Sequence, residues 1–296
     1  MERVLVTGAS GPIGVALLPC LESQGASIVR LVRRPASSPD QTYWDPAQPL
    51  DPHVASGCDV VIHLAGESIF GRWTGSKKRA ILESRILGTS NLARALADAK
   101  ARPRVFLCAS AVGFYGDGGG QILTEESPSG DDFPAEICRA WENASRIAAE
   151  AGIRTVNLRI GMVLSPQGGA LQMMLPAFRF GLGGRLGSGR QWSSWIHVDD
   201  IVSAMQHVIQ TEPLAGPVNF VAPAPVTNAE FTRTLAAVLH RPALLPVPAF
   251  AARVAFGEMA DQLLLSGQRA LPAKLQATGY SFRFPALRGA LEDLLQ

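Results

Sequence analysis

The chain alternates between short, continuously apolar runs and longer segments with an apolar residue every three or four positions. Arg3–Thr7 reads as a strand and runs into Gly8-Ala9-Ser10-Gly11-Pro12-Ile13-Gly14. From Ile13 to Gln24 the apolar residues Ile13, Leu17, Leu18 and Leu21 fall at helical spacing. Ser27–Val32 predicts a second strand, Asp59–Gly66 a third, Arg104–Ala109 a fourth and Thr155–Arg159 a fifth. Between them, Ala80–Lys100 and Ala135–Ala151 predict helices. Strands alternating with helices indicate an α/β fold with a parallel sheet. Runs such as Val60–Leu64, apolar at nearly every position, suit strands covered on both faces.

After Ser165 the texture changes. Glycines crowd from Gly168 to Gly189, and prolines cluster at Pro213–Pro225 and Pro242–Pro248. The last fifty residues are mostly helical in pattern, with an aromatic patch at Tyr280–Phe284. The expected organisation is a nucleotide-binding domain over 1–165, to which 195–222 returns. A smaller, mostly helical C-terminal lobe over 166–194 and 223–296 would share a cleft with it.

Composition narrows the class. The 296 residues are 47% hydrophobic and 18% charged, enough for a core and against disorder. A net charge of +2 calls for neither nucleic acid nor an anionic membrane as partner. Its basic side is skewed, with 23 arginines against four lysines. Codon bias of a GC-rich genome accounts for most of that skew, but arginine is also the fork-shaped binder of phosphate. No signal peptide or membrane span is expected. Cys20, Cys58, Cys108 and Cys138 have no zinc spacing and read as buried thiols, so no metal site is expected and the cytoplasm is the expected compartment.

The glycine run carries the first chemistry. Gly8-x-x-Gly11-x-x-Gly14 joins a strand to a helix. The first glycine permits a tight turn, the second lets the backbone approach a pyrophosphate, and the third lets helix and sheet pack closely. The helix N-terminus then offers free N–H groups to the phosphates. These features predict a Rossmann-type doubly wound sheet, with Gly8, Ser10, Gly11, Pro12, Ile13 and Gly14 around the cofactor. An acidic residue at the end of the second strand would bind ribose hydroxyls. Here Arg33-Arg34 stands in that place, which suits a 2′-phosphate and predicts NADP(H). His63 reads as a packed strand residue.

The G-x-x-G-x-x-G spacing resembles the extended branch of the short-chain dehydrogenase/reductase superfamily, the branch of nucleotide-sugar epimerases and dehydratases. That resemblance implies that Leu64-Ala65-Gly66 lies beside the adenine ribose and pyrophosphate. It also implies a Tyr-x-x-x-Lys pair, in which the lysine lowers the tyrosine's pKa for proton exchange. The residues four on from Tyr43, Tyr115 and Tyr280 are Ala47, Gly119 and Phe284, so the pair is missing. Cys138-x-x-x-Glu142 holds the corresponding helical spacing, and residues so spaced share a helix face. Ser110-Ala111-Val112-Gly113-Phe114-Tyr115-Gly116 resembles the family's Ser-x-x-x-Tyr-Gly turn. Ser110 is therefore the candidate for facing the reacting carbonyl and the cofactor, and Tyr115 the candidate proton donor. Arg85 stands where relatives carry an asparagine, three residues before Gly88-Thr89. It reads either as an anion holder for cofactor or substrate or as a surface salt-bridge partner.

Further matches extend the likeness. Arg159, in Leu158–Pro166, resembles the Arg-x-x-Asn-Val-x-Gly-Pro stretch near the nicotinamide. Gly187–Gln191 and Trp195–Ile201 resemble a stretch under the substrate nucleotide. There Asp199-Asp200 is expected to cap a helix and His197 to be structural. Arg185 and Arg190 read either as anion contacts or as parts of a solvated loop. The whole chain resembles the atypical epimerase-like subgroup that carries its own short C-terminal domain, in which substrates are generally unassigned. The resemblance implies an NADP(H)-dependent oxidoreductase or epimerase-like protein with a small-molecule substrate. The missing pair supports a second reading, a non-catalytic NADP(H) sensor or partner-binding protein. Relatives dimerise through two helices per subunit, here Ala80–Lys100 and Ala135–Ala151, so a homodimer is expected by analogy.

Overall fold

A computed structural model describes residues 2–296. The first half contains β1 (Arg3–Thr7), α1 (Pro12–Ser23), β2 (Ser27–Val32), β3 (Gln41–Tyr43), α2 (Pro52–Ala55), β4 (Val60–His63) and α3 (Gly75–Asp98). It continues with β5 (Val105–Ala111), β6 (Ile122–Leu123), α4 (Phe133–Glu150) and β7 (Arg154–Ile160). The second half contains β8 (Met162–Leu164), α5 (Gly169–Arg179), β9 (Trp192–Ser193), β10 (Trp195–His197), α6 (Val198–Gln210), β11 (Gly216–Phe220), β12 (Val226–Thr227) and α7 (Asn228–Val238). It ends with α8 (Ala249–Phe256), β13 (Arg269–Ala270), α9 (Ala273–Ala277) and α10 (Leu287–Leu295).

Seven strands form one parallel sheet in the order β11-β7-β5-β4-β1-β2-β3. The order reverses at β1, between β4 and β2, and the crevice at that switch point is where such sheets take ligands. Val4, Val6, Val60 and Ile62 bury their side chains on one face with α1 and α6, while Leu5, Val61 and Phe106 do so on the other with α3 and α4. The α/β doubly wound class expected from the alternation is the fold observed. A separate apolar cluster around Trp195, Leu175, Phe231 and Leu291 holds the C-terminal lobe. The last fifty residues are less helical than their pattern, because β13 crosses back as an extended strap and pairs with β6.

Local boundaries moved for identifiable reasons. The helix expected from Ala80 begins at Gly75, because the Thr74 hydroxyl caps it by accepting the N–H of Lys77. The polar Ser76-Lys77-Lys78-Arg79 turn carries no apolar signal. Asp199-Asp200 does not cap α6. His197 Nδ1 accepts the Asp199 N–H at 3.0 Å and does so instead. The buried Asp200 carboxylate accepts the N–H groups of Arg283 and Phe284. Of the four cysteines, Cys20 is only half-buried.

Candidate functional site

At the switch point lies a groove of about 780 Å³. Its floor is Thr7–Gly11, its far wall Leu64–Glu67, and its mouth Arg33 and Arg34. Gly8 has φ +72°, and a Cβ there would fall 2.7 Å from the Leu64 carbonyl carbon. Gly14 is tighter still: a Cβ would come within 2.6 Å of Ala9 Cα. Gly11, the N-cap of α1, meets only the Gly8 oxygen at 3.4 Å, so its outer side stays open. In doubly wound sheets glycines so placed leave room for the backbone to approach a pyrophosphate and to present helix N–H groups to it. Pro12 occupies the first turn of α1, where its missing N–H costs nothing, and Ile13 packs on the core.

Arg33 and Arg34 are exposed, and neither is within salt-bridge distance of a carboxylate among the described residues. Asp40, the acidic group near this end, is already paired with Arg30, which holds its carboxyl down to about 2. This end of the groove is therefore cationic.

His63 ends β4 and is buried. Its ring nitrogens sit 2.7 Å from Thr7 Oγ1 and 3.0 Å from Thr89 Oγ1. Burial, with the nearby Arg85 charge, lowers its pKa to about 4. It is a neutral packing residue, as read from the sequence.

One strand over, β5 ends at a polar cluster. Ser110 is 3% exposed, and its hydroxyl donates to Glu142 Oε1 at 2.8 Å. Arg159 grips the same carboxylate with Nε at 2.9 Å and Nη2 at 3.0 Å. Its guanidinium lies 3.4 Å from the Phe114 ring centroid and donates to Tyr115 Oη at 3.1 Å. The Tyr115 hydroxyl donates in turn to Asn219 Oδ1 at 2.7 Å, and burial raises its pKa. The structure thus brings Ser110 and Arg159 together through Glu142, while the Tyr115 hydroxyl faces β11. Glu142, Asn219 and the buried Glu125 that receives the Asn219 N–H were absent from the sequence-derived set. Only Glu142 carried a signal, its i+4 spacing from Cys138.

Arg85 is not the surface salt-bridge partner that was one of its two expected forms. It is 9% exposed, donates to the carbonyls of Glu67 and Ile81, and stacks 4.7 Å from the Trp141 ring centroid. No carboxylate pairs with it among the described residues, and burial lowers its pKa. It braces Gly66, where a Cβ would lie 3.2 Å from the guanidinium carbon. Cys138 is buried against Ser110 and the Ala111 carbonyl, and burial with the Glu142 charge pushes its thiol up to about 12.

His197, Asp199 and Asp293 also converge. With Nδ1 accepting an N–H, the neutral His197 ring carries its proton on Nε2, which lies 3.3 Å from Asp293 Oδ2 but makes no hydrogen bond. Arg283 already reaches Asp199 at 3.2 Å.

Comparison with known proteins places this arrangement. The profile of the NAD dependent epimerase/dehydratase family matches residues 4–220. The chain belongs to that family. A domain of unknown function, DUF1731, matches residues 247–294 and accounts for the end of the C-terminal lobe. The "Epimerase family protein Mb2239" of Mycobacterium bovis is 43% identical, over 97% of this chain and 96% of its own. YfhF of Bacillus subtilis, also called an epimerase family protein, is 40% identical over 99% of this chain and 98% of its own. The crystal structure of human epimerase family protein SDR39U1 (isoform 2) with NADPH superposes with a TM-score of 0.91 at 36% identity, covering 99% of both chains. The epimerase-like subgroup with its own C-terminal domain, expected from the motifs, is thus the chain's family. The helical positions at which the resemblance implied a tyrosine and a lysine hold a buried thiol and an arginine-bound carboxylate.

Proposed function

We propose that this family member binds NADP(H) and works as an oxidoreductase or epimerase-like enzyme at the carbonyl carbon of a small molecule, nucleotide-sugar-like in class. The observation that carries the cofactor reading is the pair Arg33 and Arg34, unpaired at the adenosine end of a glycine-floored groove. Guanidinium forks match a 2′-phosphate in shape and charge, and no free acid opposes them. Gly8, Gly11 and Gly14 fit the pyrophosphate, and Leu64, Ala65 and Gly66 form the opposite wall. The human relative, whose crystal structure contains NADPH, agrees with this reading.

Bound in that groove, the nicotinamide supplies the hydride chemistry. The chain's own part is the proton. Because Ser110 donates to Glu142, its oxygen offers lone pairs to a substrate hydroxyl. A proton leaving that hydroxyl passes to Ser110 Oγ as the Ser110 proton passes to Glu142 Oε1. Running backwards, the same relay protonates a carbonyl oxygen. Arg159 fixes the carboxylate in register for both directions.

Calorimetry tests the cofactor. NADPH should bind more tightly than NADH, and Arg33→Asp should weaken NADPH by between about tenfold and about a hundredfold, the worth of one charge-assisted bond. Equal affinities would remove the 2′-phosphate reading. Stopped-flow oxidation of bound NADPH against a panel of carbonyl compounds tests the chemistry. Ser110→Ala should slow turnover by roughly a hundredfold or more while leaving NADPH affinity intact. A second reading, a non-catalytic NADP(H) sensor, draws support from Tyr115, whose hydroxyl is committed to Asn219, and from the buried thiol in place of tyrosine. Tight NADPH binding without oxidation by any carbonyl compound would favour it.

A further inference from the structure

The C-terminal lobe separates charge in a way the net charge of +2 conceals. Residues 166–198 hold three arginines and 231–257 another three, and neither stretch contains an aspartate or glutamate. Of the six, only Arg253 has a carboxylate partner among the described residues, Asp261. The two stretches lie side by side. Arg241 Nε donates to the Arg179 carbonyl, and Val247 N–H to the Arg185 carbonyl. Leu186 bridges to Val247, and a Cβ on Gly184 would overlap the Leu245 carbonyl. Arg185 and Arg233 flank one shallow cleft of about 230 Å³ with Leu244 and Pro246.

Large apolar side chains stand out from the same loops. Phe180 is 80% exposed and Leu244 82%, with Leu182 and Leu245 beside them on the paired segments. Phe250 and Val254, four apart on α8, are exposed as well. Single exposed leucines are ordinary in soluble proteins, but a contiguous set ringed by unpaired cations marks a contact surface.

We propose that this face docks on an anionic phospholipid surface, with Phe180, Leu182, Leu244 and Leu245 entering the headgroup–acyl boundary. Arg179, Arg185, Arg233 and Arg241 would pair with lipid phosphates. Charge complementarity points to that occupant: five arginines with no carboxylate partner, no acid within either stretch, and guanidiniums that take phosphate bidentately. The apolar tips are mostly aliphatic, which suits acyl chains and gives nucleobases little to stack on. Phe180, Leu182 and Leu245 protrude outside the cleft, and the cleft that Leu244 edges is shallow, so the tips suit a soft surface better than a preformed protein partner. No helix of the described residues is long and apolar enough to cross a membrane, so the contact is peripheral.

Flotation of the full chain with vesicles tests this. At low salt the chain should rise with phosphatidylcholine–phosphatidylglycerol vesicles, should stay behind with phosphatidylcholine alone, and should be released by high salt. Arg179→Gln/Arg241→Gln and Leu244→Ser/Leu245→Ser should each lower the partition by at least roughly tenfold, with unchanged melting temperatures. A Leu244→Trp chain should show blue-shifted emission on the anionic vesicles only. Absence of flotation with anionic vesicles overturns the proposal, as does equal partition of both double variants. Concentration-dependent dimerisation by light scattering, abolished by the leucine variants without any vesicle binding, would assign the face to a protein contact instead.

Discussion

His63 shows how a single residue couples the cofactor domain to pH. Its ring, held between Thr7 and Thr89, takes up a proton in the native chain only near pH 4. The unfolded chain takes up that proton near pH 6.5. Between the two values the unfolded state carries more protons, so stability falls as pH falls. Above the unfolded value the contribution is fully present. A gap of this size corresponds to on the order of 3 kcal/mol. Urea unfolding from pH 7.5 to 4.5 should show this loss in the natural protein, and a flatter profile in His63→Gln, which keeps hydrogen-bonding groups but does not titrate. Parallel profiles would exclude His63 as the source. The residue's type and strand position were readable in the sequence. Its two threonine partners were not, because they come from β1 and α3, 56 and 26 residues away.

At the scale of elements, the strand–loop–helix unit at the N-terminus is the most constrained. Replacing Gly14 with alanine would ordinarily favour a helix by about 1 kcal/mol. Here the new Cβ would fall 2.6 Å from both Ala9 Cα and the Gly8 oxygen, backbone atoms that cannot rotate away. Gly14→Ala should therefore lose about 1–3 kcal/mol in urea unfolding, and NADPH affinity with it. A gain in stability would show that the loop has room to move. Spacing alone made this unit legible, because a tight turn, a close approach and a helix start each require glycine at a fixed step. The helix α4 was legible only in part. Periodicity placed Cys138 and Glu142 on one face, but the choice of Glu142 as the group joining Ser110 to Arg159 depended on where β5 and β7 end beside it.

At the scale of the molecule, the C-terminal segment completes cores that begin far upstream. Leu275 is fully buried among residues of β1, β4 and α6, and Leu287 and Leu291 close the cluster around Trp195. Asp200 ties Arg283 and Phe284 to α6, and a Cβ on Gly267 would overlap the Trp192 backbone oxygen. A chain ending at residue 240 would expose those surfaces. Losing three buried leucines alone costs about 5 kcal/mol or more, comparable to the whole stability of a domain. Such a chain should bind a hydrophobic dye and lose its near-ultraviolet circular dichroism. Cooperative unfolding of the shortened chain would show instead that the nucleotide domain folds alone.

The sequence by itself determined the features that repeat or act over a few residues. These are the strand–helix alternation, the glycine steps, the two arginines after β2, and the lack of any tyrosine with a lysine four residues on. Each is set by local backbone geometry or by residue identity. Only the tertiary structure decided which groups meet: Ser110 with Glu142 and Arg159, Tyr115 with Asn219, Arg85 with Trp141. It also decided which arginines gather, turning a skew that looked like codon bias into a cationic groove mouth and an arginine-lined pair of loops. The physical reason is that hydrogen bonds and charges act through space. The chain must return on itself before residues a hundred positions apart can satisfy, or fail to satisfy, one another.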